Sequence, residues 1–409
     1  MKIVFVIPMY PHVSGSTYFV QEISRHLAKS NHTVTIITSN AYTPRHWYDP
    51  IFGKRKPLTR QILPDRISIV YLPTRPLLSA ISYLLRITLA PLLPKTIERY
   101  LDYLSRGPIF KKLTQTIHEL NPDIIHTSPL PFYLNHQVAK IIKNYPLKKP
   151  QLIITPFFHF KLKTYHNPWF QFTLSAANQI HLVTPHESKE CEKYYPNNQS
   201  KHKYLPLFLR VNQYDHASIQ KKSLELKEKL NLQNKNIVLY AGTKAPEKGC
   251  ILTLQAIEDL HHRANSNIVF IAIGNSTLAW ENAVRKLQPS SLIDLPAQHG
   301  LTKSSLFALC DIYCMPSIAD SFGLVYLEAW HMKKPIIAAD TPTAHELLEN
   351  SARYVTFNDI TNLQDILAQM LQNKPLQEKL GAQGYTLLNE KYDFQSIIQK
   401  YEEFFTTKL

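Results

Sequence analysis

The chain has 409 residues, enough for two domains of roughly 200 residues, because single hydrophobic cores stop growing near about 250–300. Its composition, 44% hydrophobic and 19% charged, excludes a disordered or fibrous protein. The formal charge of +15 is uneven: residues 1–205 carry 26 Lys+Arg against 10 Asp+Glu, while residues 206–409 carry 20 against 21. A basic first half implies an anionic partner: nucleic acid, a membrane surface or an acidic substrate.

Taken in chain order, Lys2–Ile7 reads as a first strand rather than a leader, since no long apolar region or small-residue cleavage site follows. An amphipathic helix over Tyr18–Lys29 and strands at Thr33–Thr38, Ser68–Tyr71, Ile124–His126 and Leu152–Thr155 are expected next. The second half repeats this grammar. Strand Asn236–Ala241 precedes helix Cys250–Arg263, strand Asn267–Ile273, a helix near Ala279–Leu287 and strand Asp311–Met315. Helix Phe322–His331, strand Pro335–Ala339 and an amphipathic helix over Phe394–Thr407 complete the series. Near-continuous Val/Ile strands alternating with helices predict buried parallel sheets with right-handed crossovers. The expected division is 1–205, 206–390 and a C-terminal helix at 391–409 that could pack back on the first domain, with the boundary in Tyr204–Tyr214.

Residues 41–112 break the pattern, with 13 Lys+Arg against 4 Asp+Glu and many Pro and aromatic residues. Leu77–Leu93 is almost wholly apolar but has Arg86 at its middle. A central Arg costs about 2.5 kcal/mol or more in a membrane span, so an interfacial amphipathic helix flanked by Arg75, Lys95 and Arg99 is the reading preferred over a buried helix pair. The four cysteines, Cys191, Cys250, Cys310 and Cys314, lack disulfide or zinc spacing, which points to a cytoplasmic protein with buried thiols. Basic residues interleaved with aliphatics, without a nucleic-acid motif, argue against nucleic acid.

The most informative stretch is Asp311–Asp340. A strand leads through Pro316–Ser321 into a helix expected near Phe322–Gly323, whose first amides (Phe322, Gly323, Leu324, Val325) lie at the positive end of the helix dipole and can take an anion. Glu328, about two turns in, could accept hydrogen bonds from sugar hydroxyls. Asp320 as a helix N-cap and Glu328 as a surface residue is the plain alternative.

Here the sequence resembles the retaining GT-B glycosyltransferases of the family-4 type, the glycosyl transferases group 1. Asp320-Ser321-Phe322-Gly323-Leu324-Val325-Tyr326-Leu327-Glu328-Ala329 matches their E-x-F-G-L-V-x-x-E-A, and Lys334-Pro335-Ile336-Ile337 follows where they have G-x-P-V-I. Gly242-Thr243-Lys244-Ala245-Pro246-Glu247-Lys248-Gly249 resembles G-R-x-x-x-x-K-G. The resemblance implies an α/β fold of GT-B type: two Rossmann-like doubly wound domains facing an interdomain cleft. It implies a UDP- or GDP-sugar donor, a saccharide or glycolipid acceptor, and retaining transfer without a metal or other cofactor. Lys248 would neutralise the departing diphosphate and Asp320 contact the donor sugar. Glu328 would hold the ribose, while Gly274, Gly300 and Leu301 line the donor site. In the first domain, Val13-Ser14-Gly15-Ser16 stands at the family's phosphate-closing loop, and His159 at the position that approaches the donor sugar, in preference to His126.

Three departures stand out. Asp320 is one methylene shorter than Glu. Thr243 replaces the phosphate-binding Arg, with Lys244 beside it as a substitute charge. Pro206-Leu207-Phe208-Leu209-Arg210 stands where P-N-G-V-D is usual. They leave open a non-catalytic partner subunit of the same fold. Six of only ten glycines (Gly15, Gly242, Gly249, Gly274, Gly300, Gly323) nonetheless fall at the expected site loops. The basic, apolar 41–112 region suggests a lipid-linked acceptor and peripheral attachment to an anionic membrane surface, on the inner face.

Overall fold

The computed structural model describes residues 1–11, 14–58, 60–89, 92–146, 148–210, 214–264 and 267–407. Val13, residues 90–91 of the apolar stretch and residues 211–213 of the expected boundary lie outside the described residues. The backbone divides into two compact units, Met1–Pro206 with Ile397–Leu409, and Leu207–Ser396.

The first unit contains strands β1 (Lys2–Val6), β2 (Thr33–Ser39), β3 (Arg60–Ile62), β4 (Ser68–Leu72), β5 (Ile124–Thr127), β6 (Gln151–Ile154), β7 (Gln179–Leu182) and β8 (His202–Tyr204). They form one sheet in the order β3-β4-β2-β1-β5-β6-β7-β8. All neighbours are parallel except the edge pair β3–β4. Strand β1 sits between β2 and β5, with Ile3 opposite Val34 on one side and Ile124 on the other. Four of its five residues are buried, as a strand covered by helices on both faces requires. The first helix, Gly15–Lys29, is capped by Ser14, whose side chain accepts from the Thr17 N–H at 3.2 Å. Its buried Phe19, Val20, Ile23 and Leu27 recur at helical spacing.

The C-terminal helix Phe394–Thr406 buries Ile397, Ile398, Tyr401 and Phe405, and from Ile397 onward it belongs to the first unit. Phe405 packs 5.6 Å from Phe5 and Tyr401 5.2 Å from Phe19 between ring centroids. A hydrogen-bonded chain lies under it: His126 Nε2 to Thr155 Oγ1 at 2.7 Å, Thr155 Oγ1 to His181 Nδ1 at 2.9 Å, and His181 Nε2 to the Tyr401 hydroxyl at 2.9 Å.

In the 41–112 region, helices Pro76–Thr88 and Lys95–Leu104 pack together. Asp102 ties them, pairing with Arg86 and Arg106, each at 3.0 Å. The α-helix that opens the apolar stretch ends at Thr88.

The second unit carries β9 (Asn236–Ala241), β10 (Ile268–Ile273), β11 (Leu292–Leu295), β12 (Ile312–Met315), β13 (Ile336–Ala339) and β14 (Ala352–Val355). These make a fully parallel sheet in the order β11-β10-β9-β12-β13-β14. The chain runs outward from β9 in one direction, then returns to β12 on its other side. The crevice beyond the carboxyl ends of β9 and β12 is therefore the topological switch point, where ligands bind in open α/β sheets.

Candidate functional site

The loops that follow β9 and β12 meet at that crevice. The loop after β9 carries Lys248, and the loop after β12 carries Asp320. Lys248 Nζ lies 2.7 Å from Asp320 Oδ1 and also donates to the Ala319 carbonyl. The Ile318 N–H donates to the Glu247 carbonyl at 3.0 Å, pinning the loops together. Both charged side chains are about one-fifth exposed, so the pair is neither sealed in the core nor fully solvated. Asp320 is not the helix N-cap: Gly323 is, with its backbone in the left-handed region at φ 96°.

That cap changes the expected helix start. The helix runs Leu324–His331, two residues later than the sequence suggests, because Gly323 turns the chain and Phe322 is buried against Tyr392 at 5.7 Å. The Tyr326 N–H bonds the Gly323 carbonyl at 2.9 Å. Among the described residues the amides of Leu324 and Val325 have no hydrogen-bond partner. Cap glycines carry no side chain to take those donors, so the start of this helix stays open to an anion.

Glu328 sits half-buried on the same helix, with Lys303 Nζ 2.7 Å from one carboxylate oxygen and 2.6 Å from the other. Lys303 belongs to helix Gly300–Leu309, whose first residues are Gly300 and Leu301. Lys303 was not singled out in the sequence for this role. Twenty-five positions separate it from Glu328, and only the folded chain makes them neighbours.

The turn after β9 answers the question left by Thr243 and Lys244. Thr243 is exposed, and its carbonyl accepts from the Tyr240 hydroxyl at 2.7 Å. Lys244 is 1% exposed; its ammonium pairs with Asp294 and donates to the Leu295 carbonyl at 2.8 Å. The Trp280 indole N–H also donates to Asp294, at 2.9 Å. The charge of Lys244 is thus committed inside the fold, whereas the expectation made it a substitute point charge for the Arg. Gly274 closes the same corner. Its φ is 145°, and a Cβ there would lie 1.8 Å from the Gly242 carbonyl oxygen, so only glycine fits.

In the first unit, Gly15 is the first residue of its helix, exposed beside the Ser14 cap. His159 is half-buried, its ring edge-on to Tyr165 at 5.2 Å. The turn that holds it contains Phe157 at φ 51°. It is fixed by Glu187, which accepts from the Phe158 and Val183 N–H groups, each at 2.7 Å. Burial pushes the Glu187 carboxyl up to about 8, against the lowering effect of those N–H donors. His126 is a core residue, fully buried and held down to about 3 by desolvation first and by His181 second. The structure therefore brings Lys248, Asp320, Gly323, Leu324, Val325, Glu328, Gly274, Gly300 and Leu301 together in one unit, while Gly15 and His159 belong to the other.

Comparison with known proteins follows the same division. Residues 222–387, within the second unit, match the family model for glycosyl transferases group 1. The alpha-D-kanosaminyltransferase of Streptomyces kanamyceticus is 24% identical over 195 residues, 46% of this chain and 50% of that protein. The lipopolysaccharide 1,2-N-acetylglucosaminetransferase of Salmonella typhimurium is 23% identical over 201 residues, 44% of this chain and 50% of that protein. The chain thus spans about half the length of these relatives. The structure of HepE from Anabaena in complex with UDP and glucose superimposes with a TM-score of 0.72, at 16% identity, over 99% of each chain. At that identity the likeness is one of fold.

Proposed function

We propose that this chain, which has the GT-B fold and whose residues 222–387 match the glycosyl transferases group 1, is a member of that family and moves a sugar from a UDP- or GDP-sugar to an acceptor hydroxyl, retaining the anomeric configuration, without a metal. The observation that carries the reading is the Lys248–Asp320 pair at the β9/β12 switch point, beside a helix start whose Leu324 and Val325 amides are unfilled. A diphosphate would accept from those amides and from Lys248, leaving Asp320 to take a hydroxyl of the donor sugar. Glu328, oriented by Lys303, would accept from the ribose hydroxyls, and the Gly300–Leu301 backbone would meet the base. Gly274 and the exposed Thr243 would line the phosphate side. For Gly15 and His159 the roles, phosphate closure and sugar contact, rest on the family resemblance.

In the reaction the bond from the anomeric carbon to the diphosphate oxygen breaks. The acceptor oxygen bonds that carbon from the same face, and its proton passes to the departing diphosphate. Charge builds on the leaving oxygen, so a fixed cation and helix amides act more strongly on the transition state than on the bound donor. The acceptor we propose is a saccharide or glycolipid, with the protein working in the cytoplasm.

The test is Lys248→Ala with sugar nucleotides and a glycan acceptor. Loss of one such electrostatic contact lowers kcat by about 10²–10³, with product anomers read by NMR. A non-catalytic donor-binding subunit remains as the second reading because each carboxylate, Asp320 and Glu328, already holds a lysine. On that reading the wild-type chain binds nucleotide and gives no product with any donor.

A further inference from the structure

Helix Pro76–Thr88 is folded the wrong way round for a water-soluble protein. Its buried residues are Ser79 and Ser82, at 0% and 2% exposure, while Leu77 and Leu84 stand 61% and 54% exposed. Leu77, Ile81, Leu84 and Thr88 recur at four- and three-residue steps, so they form one stripe, and Ile81 is exposed with the leucines. An amphipathic helix that belongs to a core turns its leucines inward and its serines outward. Here the serine side packs into the unit, with the Ser82 hydroxyl donating to the Ser79 carbonyl at 2.9 Å, and the apolar stripe is left uncovered. A contiguous apolar surface of this kind marks an interaction site.

A second apolar projection adjoins it. The Asp49 carboxylate accepts from the Ile51 and Phe52 N–H groups at 3.0 and 2.8 Å, and Arg55 donates to the Asp49 carbonyl at 2.8 Å. The ordered turn presents Phe52 at 84% exposure. The Tyr48 ring, four residues before it, lies 6.1 Å from Tyr83 on the helix, so turn and helix are neighbours. Arg45, Lys54, Arg75, Lys95 and Arg99 are exposed in this same region.

We propose that helix Pro76–Thr88 and the Ile51–Phe52 turn form a docking surface for an anionic lipid bilayer. Apolar side chains enter the acyl boundary while the surrounding cations meet headgroup phosphates, which is the pattern of a helix lying in a membrane interface. Charge selects this occupant over a second copy of the chain. Residues 41–112 hold 13 Lys+Arg against 4 Asp+Glu, and self-association would set that excess against itself. Attachment is peripheral, because among the described residues no helix is long and apolar enough to cross a membrane. The sequence suggests the region; the buried serines, the outward stripe and the adjoining turn identify the surface.

The experiment is flotation of the full chain with phosphatidylcholine vesicles, with or without about 30 mol% phosphatidylglycerol. The expected result is binding to the anionic vesicles that falls at least about tenfold on neutral ones or at about 0.5 M salt. The triple variant Leu77→Glu/Ile81→Glu/Leu84→Glu loses binding at least about tenfold while its melting temperature stays within a few degrees, since the three positions are exposed. Arg75→Glu/Lys95→Glu loses the anionic preference. Wild-type protein that ignores anionic vesicles, or a triple variant that binds as well as wild type, overturns the proposal. So does a vesicle-indifferent dimer, seen by sedimentation velocity and dispersed by the triple variant, which assigns the surface to a second copy. Flotation needs neither donor nor acceptor, so its outcome is independent of the proposed glycosyl transfer.

Discussion

Replacing His181 with Gln is expected to blunt the acid sensitivity of the first unit. His181 is fully buried between Thr155 and the C-terminal helix. Burial lowers it from the ordinary 6.5 to about 4, although the Leu205 carbonyl that receives its proton pulls the other way. Folded protein thus keeps this imidazole neutral while the unfolded chain takes up a proton below pH 6.5. With a depressed folded value, stability is intact above pH 6.5 and is lost as pH falls toward 4. Between pH 7 and pH 5.5 the loss is about 1.3 kcal/mol for this histidine. The figure scarcely depends on the folded value, provided that value stays well below 5.5. His126 adds a similar loss, whereas Glu187, raised to about 8, opposes both: its folded form holds a proton that the unfolded chain releases. Only a comparison of variant with wild type isolates the one group. Because two units need not unfold together, peptide-resolved hydrogen exchange is the assay, read on β7 and the C-terminal helix. Protection, corrected for intrinsic exchange, should fall about eightfold more in wild type than in His181→Gln over this pH range. Equal falls in both proteins would refute the reasoning, because His181 would then titrate alike in folded and unfolded chains.

Two further substitutions probe the second unit. Lys303→Ala removes the cation that holds Glu328; nucleotide affinity measured by calorimetry should weaken about three- to tenfold, while stability changes by less than about 1 kcal/mol because the pair is partly exposed. Gly274→Ala forces a Cβ into the Gly242 carbonyl, and urea denaturation should report a loss of about 3 kcal/mol or more from the second unit.

Much of the fold was legible because its central strands are buried on both faces. Apolar residues run almost unbroken through β1, β9 and β10, and β9 has the bounds read from the sequence. Strands β3, β8, β11 and β14 escaped notice: they lie at or near sheet edges, span three or four residues, and carry polar residues toward water. Strand β7 was missed for another reason. Its Gln179 and His181 are polar yet buried, His181 through hydrogen bonds to Thr155 and the Leu205 carbonyl, so the hydrophobic pattern is interrupted. In the candidate site, the segment 320–328 and Lys248 were legible from local motifs. The pairings were not: Lys248 meets Asp320, Lys303 meets Glu328 and Lys244 meets Asp294 across long stretches of chain. Nothing local distinguishes the buried Lys244 from the accessible Lys248. Only the folded chain sets one ammonium against Asp294 and the other at the switch point.

The central claim is that the β9/β12 crevice holds a nucleoside diphosphate through Lys248 and the Leu324 helix start. A thermal-shift measurement with UDP and with GDP at about 1 mM, in EDTA, tests it directly. A ligand at about 100 times its dissociation constant stabilises the folded state by roughly 2.7 kcal/mol, which for a unit of this size raises the melting temperature by about 5–10 °C. One of the two nucleotides should produce that shift in wild type, and a much smaller one in Lys248→Ala. No shift with either nucleotide, or an undiminished shift in the variant, would contradict the account.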